Sequence, residues 1–261
     1  MAESNATGST MDKTKVMISL KDIHKHFGDN NVLNGVNMDI MKGDVVVILG
    51  PSGSGKTTML RCINFLEKAD QGSITVNDYS VECRKASNEK IRTLRKKTAM
   101  VFQQYNLFRN RTALQNVMEG LIVVKKMDKK EAEKIAAEAL TRVGLSGKED
   151  FYPSQLSGGQ QQSVGIASAI VLQPDVILFD EPTSALDPEL VGEVLETIKE
   201  VARLGITMIV VTHEISFARD VASRVIFMEG GVVVEDGTPE EVINNPKADR
   251  TREFLRRINN E

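Results

Sequence analysis

The chain has 261 residues, which is enough for one large α/β domain with an inserted subdomain. Lysine and arginine (33) nearly balance aspartate and glutamate (36), so no overall positive field indicates a nucleic-acid partner, and we expect none. No stretch approaches the roughly 18 consecutive apolar residues of a membrane-spanning helix. Length, charge and hydropathy together indicate a globular protein that does not cross a membrane by itself.

The first 15 residues are polar and lack the apolar core of a secretory signal, so we interpret residues 1–15 as a mobile tail. We therefore expect synthesis and residence in the cytoplasm. The two cysteines, Cys62 and Cys83, match no metal-site spacing and are expected to stay reduced, with Cys62 filling space in the core. Residues 16–261 are predicted to form a single domain.

Near the N-terminus, three segments have the pattern of strands, and they indicate an antiparallel layer: residues 16–24, 36–40 and 72–77. Residues 45–49 form a continuous apolar run, as is typical of a strand buried on both faces. A glycine-rich loop follows this run and leads into a helix that is predicted to begin near Lys56.

From about residue 88 to residue 171 the pattern becomes helical, and we predict an inserted helical subdomain over 88–171. Three later apolar runs alternate with helical segments and are predicted to be strands: residues 176–179, 206–211 and 225–228. A short charged helix is expected over 249–258. The pattern predicts an α/β fold with a mainly parallel, doubly wound sheet, and it places the ligand at the carboxyl edge of that sheet.

The loop after the strand at 45–49 has the spacing of a phosphate-binding loop. It consists of Gly50, Pro51, Ser52, Gly53, Ser54, Gly55, Lys56 and Thr57, and Thr58 follows it. Its glycines allow backbone N–H groups to surround a polyphosphate at the N-terminus of the next helix. Lys56 is predicted to bridge the β- and γ-phosphates and Thr57 to ligate Mg²⁺. A chance match in a glycine-rich turn is the alternative, and the preceding apolar strand argues against it.

Two adjacent carboxylates follow the predicted strand at 176–179. Asp180 ends this strand, where a carboxylate can hold Mg²⁺ through water. Glu181 comes next and points away from Asp180, because alternate strand residues point to opposite faces, and we predict that it is the general base for the attacking water. The alternative is a structural pair of carboxylates, since Asp-Glu dipeptides are common.

A pentapeptide stands between these two motifs: Leu156, Ser157, Gly158, Gly159 and Gln160. In this order the three motifs resemble those of the ATP-binding cassette (ABC) ATPases, P-loop NTPases whose two copies hold ATP between the phosphate loop of one and the LSGGQ of the other. The resemblance implies that ATP is the nucleotide and that Ser157, Gly158, Gly159 and Gln160 contact the ATP of a second copy. One chain is then half of a catalytic site.

Further positions are similar to functional residues of the family. Gln103 matches the Q-loop, which senses both γ-phosphate and Mg²⁺, and residues 184–187 match the D-loop, which follows the catalytic glutamate. His213 resembles the switch histidine that contacts the γ-phosphate, although a lone histidine is more often structural. Phe27 is similar to the aromatic residue that stacks on adenine, but its ring could equally belong to the core of the antiparallel layer.

Within the superfamily, the chain looks like the ATPase subunits of polar amino-acid importers. The similar segments are residues 50–64, 160–162, 183–192, 237–241 and 250–255. The resemblance implies a peripheral subunit at the cytoplasmic face of a bacterial membrane that powers a membrane-spanning permease. It also implies an extracytoplasmic amino-acid-binding protein, and it leaves the transported amino acid open.

The chain departs from the family pattern behind the pentapeptide. Ser163 and Ser168 replace two arginines, and Gly165 replaces an alanine. Because the two serines are five residues apart, about 140° around a helix axis, their effects are expected to be separate. The departures leave open a regulatory module without catalysis, and a soluble ABC ATPase that acts in DNA repair or on ribosomes is a second alternative. The retained Glu181 argues against the first, and the absence of tandem cassettes or long coiled coils argues against the second.

Overall fold

A computed structural model describes residues 15–259, which form two β-sheets and eight α-helices. The strands are β1 (Val16–Phe27), β2 (Asn30–Met41), β3 (Val45–Leu49), β4 (Gln71–Val76), β5 (Tyr79–Glu82), β6 (Thr98–Val101), β7 (Val176–Asp180), β8 (Thr207–Val211), β9 (Arg224–Glu229) and β10 (Val232–Gly237). The helices are α1 (Lys56–Ile63), α2 (Asn88–Arg95), α3 (Ala113–Val123), α4 (Lys129–Arg142), α5 (Gly158–Ile170), α6 (Pro188–Arg203), α7 (Ile215–Val221) and α8 (Asp249–Asn259). A 3₁₀ turn (Pro153–Gln155) and a π-helical turn (Glu240–Asn244) complete the described elements.

The smaller sheet has four antiparallel strands in the order β2-β1-β4-β5. This is the N-terminal layer that the alternating sequence predicts, although β1 and β2 are both longer than predicted. The hairpin between β1 and β2 pairs Phe27 with Asn30, so that Phe27 lies at the tip of the layer. Phe27, the predicted adenine contact, therefore lies at one end of the antiparallel layer.

The larger sheet has six strands in the order β10-β9-β3-β8-β7-β6, and all neighbours are parallel except β9 and β10. Every residue of β3 is buried, because alternate side chains enter different cores. Val47 packs with the helices α3 to α7 on one face, whereas Ile48 packs with the antiparallel layer and α1 on the other. The parallel α/β fold predicted from the sequence is confirmed, and the carboxyl ends of β3, β8 and β7 lie side by side.

Helices α3, α4 and α5 pack against one another on one face of the large sheet. Within residues 88–171, which the sequence predicts to be helical, the structure also contains the strand β6. This strand is the edge of the large sheet and pairs with β7. The division of residues 16–261 into a nucleotide core and an inserted helical subdomain remains a prediction from the sequence.

The predicted tail at 1–15 lies outside the described residues except for Lys15, whose carbonyl oxygen accepts a hydrogen bond from Lys42 N at 2.8 Å. Over residues 15–259, no helix combines the length and apolar character needed to cross a bilayer. Cys62 and Cys83 are buried and free, and burial raises their pKa values to about 12 and about 11. Both therefore remain thiols, as expected for core residues.

Candidate nucleotide site

The loop between β3 and α1 has positive φ angles at Gly50, Gly53 and Gly55, and at two of these positions a side chain would also collide with neighbouring backbone. Gly50 has φ +148°, and a methyl group built on it would lie 2.1 Å from the Met228 carbonyl oxygen. Gly55 has φ +97°, and a methyl group there would lie 2.7 Å from the Val32 carbonyl oxygen. The loop is therefore packed between β9 and β2, and this contact fixes its backbone. Ser52 and Gly53 are exposed at its outer surface, while Pro51, Thr57 and Thr58 are partly buried.

Two polar groups in this loop have the features of a polyphosphate site. The Ser54 hydroxyl is buried and has no hydrogen-bond partner among the described residues. Lys56 is 4% exposed, and its Nζ donates to the carbonyl oxygens of Gly50 and Pro51 at 2.8 and 2.9 Å. Burial lowers the pKa of Lys56, and the nearby Glu181 and Asp180 carboxylates partly offset this effect. A buried cation and an unpaired donor at a helix N-terminus fit a phosphate anion.

The Asp180 carboxylate lies against α1 and is 3% exposed. Its Oδ1 accepts a hydrogen bond from Thr57 Oγ1 at 2.7 Å. Its Oδ2 accepts from Arg61 Nε at 3.2 Å and Nη2 at 3.1 Å. Sequence reasoning missed Arg61, although the spacing of four residues from Thr57 places both side chains on one face of a helix. Mg²⁺ prefers hydroxyl and carboxylate oxygens as ligands. Thr57 and Asp180, the two predicted ligands, are therefore chemically suited to bind this ion together.

Two of the three side chains predicted to be catalytic, Glu181 and His213, are in contact. His213 Nε2 lies 3.3 Å from Glu181 Oε1, and Ser184 Oγ donates to Glu181 Oε2 at 3.1 Å. The hydrogen bond with His213 is the main cause that lowers the pKa of Glu181 below its ordinary range. Glu181 has φ +48°, so the backbone turns sharply after β7, and the Glu181 and Asp180 carboxylates have different hydrogen-bond partners. The structure therefore brings together Glu181 and His213 from neighbouring strand ends.

Phe27 is 47% exposed and is not part of a core, so the structure excludes the core alternative for this ring. Lys25 Nζ lies 4.6 Å from the ring centroid and donates to the Lys68 carbonyl oxygen at 2.9 Å. One cation thus contacts an otherwise accessible aromatic surface. Such a surface is suited to stacking with a base.

We expect Phe27→Ala to weaken ATP binding by about 1–3 kcal/mol, because it removes the stacking surface for the base. Phe27→Tyr should bind ATP as the parent does, since a phenol presents the same ring face. Equilibrium titration with a fluorescent ATP analogue measures both. Phe108→Ala is the matched control, because Phe108 is also an exposed phenylalanine with a cation, Arg111, over its ring. Equal weakening by both alanine variants would contradict the adenine contact.

The remaining predicted contacts lie apart from the phosphate loop of the same chain. Gln103 follows β6, is exposed, and takes part in no side-chain hydrogen bond among residues 15–259. Ser157 is the N-cap of α5: its Oγ accepts from Gln160 N, and Gln160 Oε1 accepts from Ser157 N. No hydrogen bond within the described part of the chain joins residues 156–160 to the phosphate loop. Their contact with nucleotide therefore stays a prediction that requires a second copy.

Ser163 and Ser168, the two positions where the sequence resemblance leads us to expect arginine, face different surroundings, as their helical spacing predicts. Ser163 is 5% exposed and borders a cavity of about 410 Å³ whose polar lining consists mainly of Arg142, Gln160, Glu193, Glu196 and Glu200. Ser168 borders a groove between β6, α3 and α5, and its hydroxyl donates to the Val164 carbonyl oxygen at 2.8 Å. The two serines thus lie at separate parts of the structure.

Gly165→Ala is expected to raise the free energy of unfolding by about 0.5–1 kcal/mol, because alanine restricts the unfolded chain and favours a helix. A methyl group at Gly165 would meet only the Tyr105 carbonyl oxygen, at 3.5 Å, which is an ordinary contact. Urea denaturation measures the change. Gly158→Ala at the start of the same helix is the comparison: its methyl group would lie 2.7 Å from Tyr105 Oη and must displace that side chain, so it should stabilise less than Gly165→Ala. Destabilisation by Gly165→Ala would contradict the packing described for α5.

The fold and the loop after β3 define a P-loop nucleoside triphosphatase. The sequence profile of the ABC transporter family matches residues 33–184. The L-cystine import ATP-binding proteins TcyN and TcyC of Bacillus subtilis (strain 168) are 58% and 56% identical to this chain over 245 residues. The alignments cover 94% of this chain and 95% and 99% of those proteins.

Among solved structures, the dimeric post-hydrolysis state of the ATP-binding cassette MJ0796 bound to ADP and Pi is similar, with a TM-score of 0.75 and 36% identity. The match covers 85% of this chain and 99% of that one. The chain therefore belongs to the ABC transporter family, in which it is an ATP-binding subunit that hydrolyses ATP. The resemblance found in its three motifs is confirmed.

Proposed function

We propose that two copies of this chain close around two ATP molecules and power uptake of a polar amino acid through a membrane permease. L-cystine is the first candidate, because the two curated relatives described above are named for its import. The observation that carries the proposal is the identity of 58% along 94% of a chain whose phosphate loop and catalytic carboxylates are complete. The proposed location is the cytoplasmic face of the membrane, with an extracytoplasmic amino-acid-binding protein delivering the substrate.

In the proposed cycle, ATP enters the phosphate loop and Lys56 exchanges its two carbonyl partners for the β- and γ-phosphates. The free Ser54 hydroxyl and the N-terminus of α1 add further donors to the phosphates. Thr57 and Asp180 would hold Mg²⁺, with Gln103 as a further contact, and the ion would neutralise charge that develops on the phosphates. Arg61 holds Asp180 in place by donating a hydrogen bond to Oδ2 of the Asp180 carboxylate.

Glu181 orients the attacking water and accepts its proton. In the structure this carboxylate is hydrogen-bonded to His213, which lowers its pKa and makes it a weaker base. When His213 turns to the γ-phosphate, Glu181 loses this partner and its pKa rises towards the ordinary value. ATP binding would thereby make Glu181 a stronger base than it is in the nucleotide-free subunit.

The second copy completes the site through Ser157, Gly158, Gly159 and Gln160 of its own α5 start. Ser157 and Gln160 already satisfy each other in a capping box, which leaves the Ser157 hydroxyl at a helix N-terminus. A helix N-terminus favours an anion, so this end of α5 suits the γ-phosphate. ATP then joins two copies; water breaks the bond between the β- and γ-phosphates, and departure of the inorganic phosphate from between the copies lets them separate.

Reconstitution with the permease tests this function directly. The chain is reconstituted with a candidate permease in right-side-out proteoliposomes that contain ATP, the amino-acid-binding protein is added outside, and uptake of labelled L-cystine is measured. Uptake should require ATP and disappear with Lys56→Ala, whereas Lys134→Ala, which removes an exposed charge on α4, should leave it unchanged. Uptake of another polar amino acid, such as glutamine, in place of cystine would correct the substrate alone. An active ATPase that co-purifies with no multi-spanning protein would favour a soluble ABC ATPase.

A further inference from the structure

The segment that follows β6 is bound to α5 at its first residue. Gln162 on α5 is fully buried, and its Nε2 donates to the Phe102 carbonyl oxygen at 3.0 Å. Phe102 directly precedes Gln103, the predicted sensor of the γ-phosphate. Phe102 is therefore fixed to α5. We call residues 156–160, at the start of this helix, the signature.

Tyr105, two residues after Gln103, connects the same segment with two other loops. Its hydroxyl donates to the Ala185 carbonyl oxygen in the D-loop, residues 184–187, at 3.4 Å. A methyl group built on Gly158 would lie 2.7 Å from Tyr105 Oη and 2.9 Å from Leu186 Cδ2. The first signature glycine thus leaves room for a tyrosine of one loop and a leucine of another.

The ring of Tyr105 also reaches the surface. It borders a groove of about 410 Å³ between β6, α3 and α5, together with the exposed side chains of Leu66 and Phe108. The Tyr105 carbonyl oxygen would be 3.5 Å from a methyl group on Gly165, so its backbone follows α5 closely. One residue therefore contacts an open groove, the signature and the D-loop.

We propose that Tyr105 is a positioning residue that holds the signature and the D-loop of one chain together, so that both reach the ATP of the second copy as one surface. The inference rests on the proposed function, because the signature acts only across a dimer. Among residues 15–259, no hydrogen bond joins Tyr105 to the phosphate loop. Substitution of Tyr105 should therefore affect dimer closure and leave the ATP affinity of one copy unchanged. Small displacements of groups that surround a reacting phosphate reduce rates strongly.

The test uses the Glu181→Gln chain, in which the dimer is expected to persist, and compares Tyr105→Ala, Tyr105→Phe and Tyr152→Ala. Tyr152 is 44% exposed and lies just before the signature, so its truncation is a matched control. Analytical ultracentrifugation gives the ATP concentration at half-maximal dimerisation. Titration of dilute monomer with a fluorescent ATP analogue gives the affinity of one copy.

Tyr105→Ala should raise the ATP concentration for dimerisation about tenfold, and Tyr105→Phe about threefold, since it loses one neutral hydrogen bond but keeps the ring. Monomer affinity should stay within about twofold of the parent for both variants, which a general loss of folding would not produce. With Glu181 intact, Tyr105→Phe should raise the KM for ATP by a factor similar to that for dimerisation, because only the closed dimer hydrolyses ATP, and kcat at saturating ATP should change less. Because phenylalanine preserves the packing, Tyr105→Phe tests the role of Tyr105 in dimerisation even if Tyr105→Ala destabilises the fold.

Dimerisation of both Tyr105 variants at the ATP concentration of the Tyr152→Ala control overturns the role of Tyr105 and leaves the proposed function intact. Failure of the parent Glu181→Gln chain to dimerise at any ATP concentration overturns the two-copy site, and the role of Tyr105 falls with it. A loss of monomer ATP affinity in Tyr105→Phe would also contradict the inference, because it would place the effect in the phosphate loop. The three outcomes are therefore distinguishable.

Discussion

Replacement of Glu181 by glutamine is expected to lower ATP turnover by about 10²–10⁴-fold, because an amide cannot accept the proton of the attacking water. ATP binding should persist, since the phosphate loop is unchanged, and an ATP-bound dimer should accumulate. Phosphate release measures turnover, and size-exclusion chromatography with ATP detects the dimer. The side chain has nearly the same shape in both forms, so the change isolates the proton acceptor.

Glu138→Gln is the control for this substitution. Glu138 is exposed on α4 and forms no ion pair within residues 15–259, so the same chemical change there should leave turnover unaffected. Brisk hydrolysis by Glu181→Gln would remove Glu181 from the role of general base. The turnover of His213→Ala can be compared with that of Glu181→Gln. His213→Ala removes the hydrogen bond that lowers the pKa of Glu181 but keeps the carboxylate.

Lys56→Ala should reduce ATP affinity by about 10–150-fold, the effect of losing a charged hydrogen bond to phosphate of about 1.5–3 kcal/mol. Lys56 is the buried cation of the loop, and its carbonyl partners at Gly50 and Pro51 cannot take its place, because they repel phosphate oxygens. Equilibrium dialysis or isothermal titration calorimetry measures the affinity.

The control for Lys56 is Lys134→Ala, which removes one positive charge from an exposed position on α4. It should bind ATP as tightly as the parent, because charges far from the loop are screened by salt. Unchanged ATP binding by Lys56→Ala would contradict the proposed phosphate contact. A melting temperature close to that of the parent shows that the loss is local.

Much of the fold follows from local signals. The apolar run of β3, the glycine loop and the start of α1 at Lys56 match the prediction, because burial on both faces and the need for glycine are visible in a few residues. The strand β6 was missed because its four residues, Thr98–Val101, lie among helical patterns and are ordered by pairing with β7. The short strand β5 was likewise missed, since it depends on its partner β4.

The candidate site likewise combines features that the sequence predicts with features that it does not. Residue type and spacing identified Lys56, Thr57 and Asp180, whose side chains the structure places within one region of the fold. The contacts of the resting subunit were not predictable, because they depend on rotamers and on strands distant in sequence. The hydrogen bonds of Lys56 to its own loop and of Arg61 to Asp180 belong to this class.

The contact between Gly50 and the Met228 carbonyl oxygen has a consequence for synthesis of the protein. The strand before the loop, β3, is flanked by β8 and β9, which are synthesised more than 150 residues after the loop. At ordinary translation rates the loop sequence therefore waits roughly 10–35 s for the strands that shape it. A nascent chain that ends before residue 228 has the loop sequence but no nucleotide site. ATP is thus expected to stabilise only chains that extend beyond residue 228.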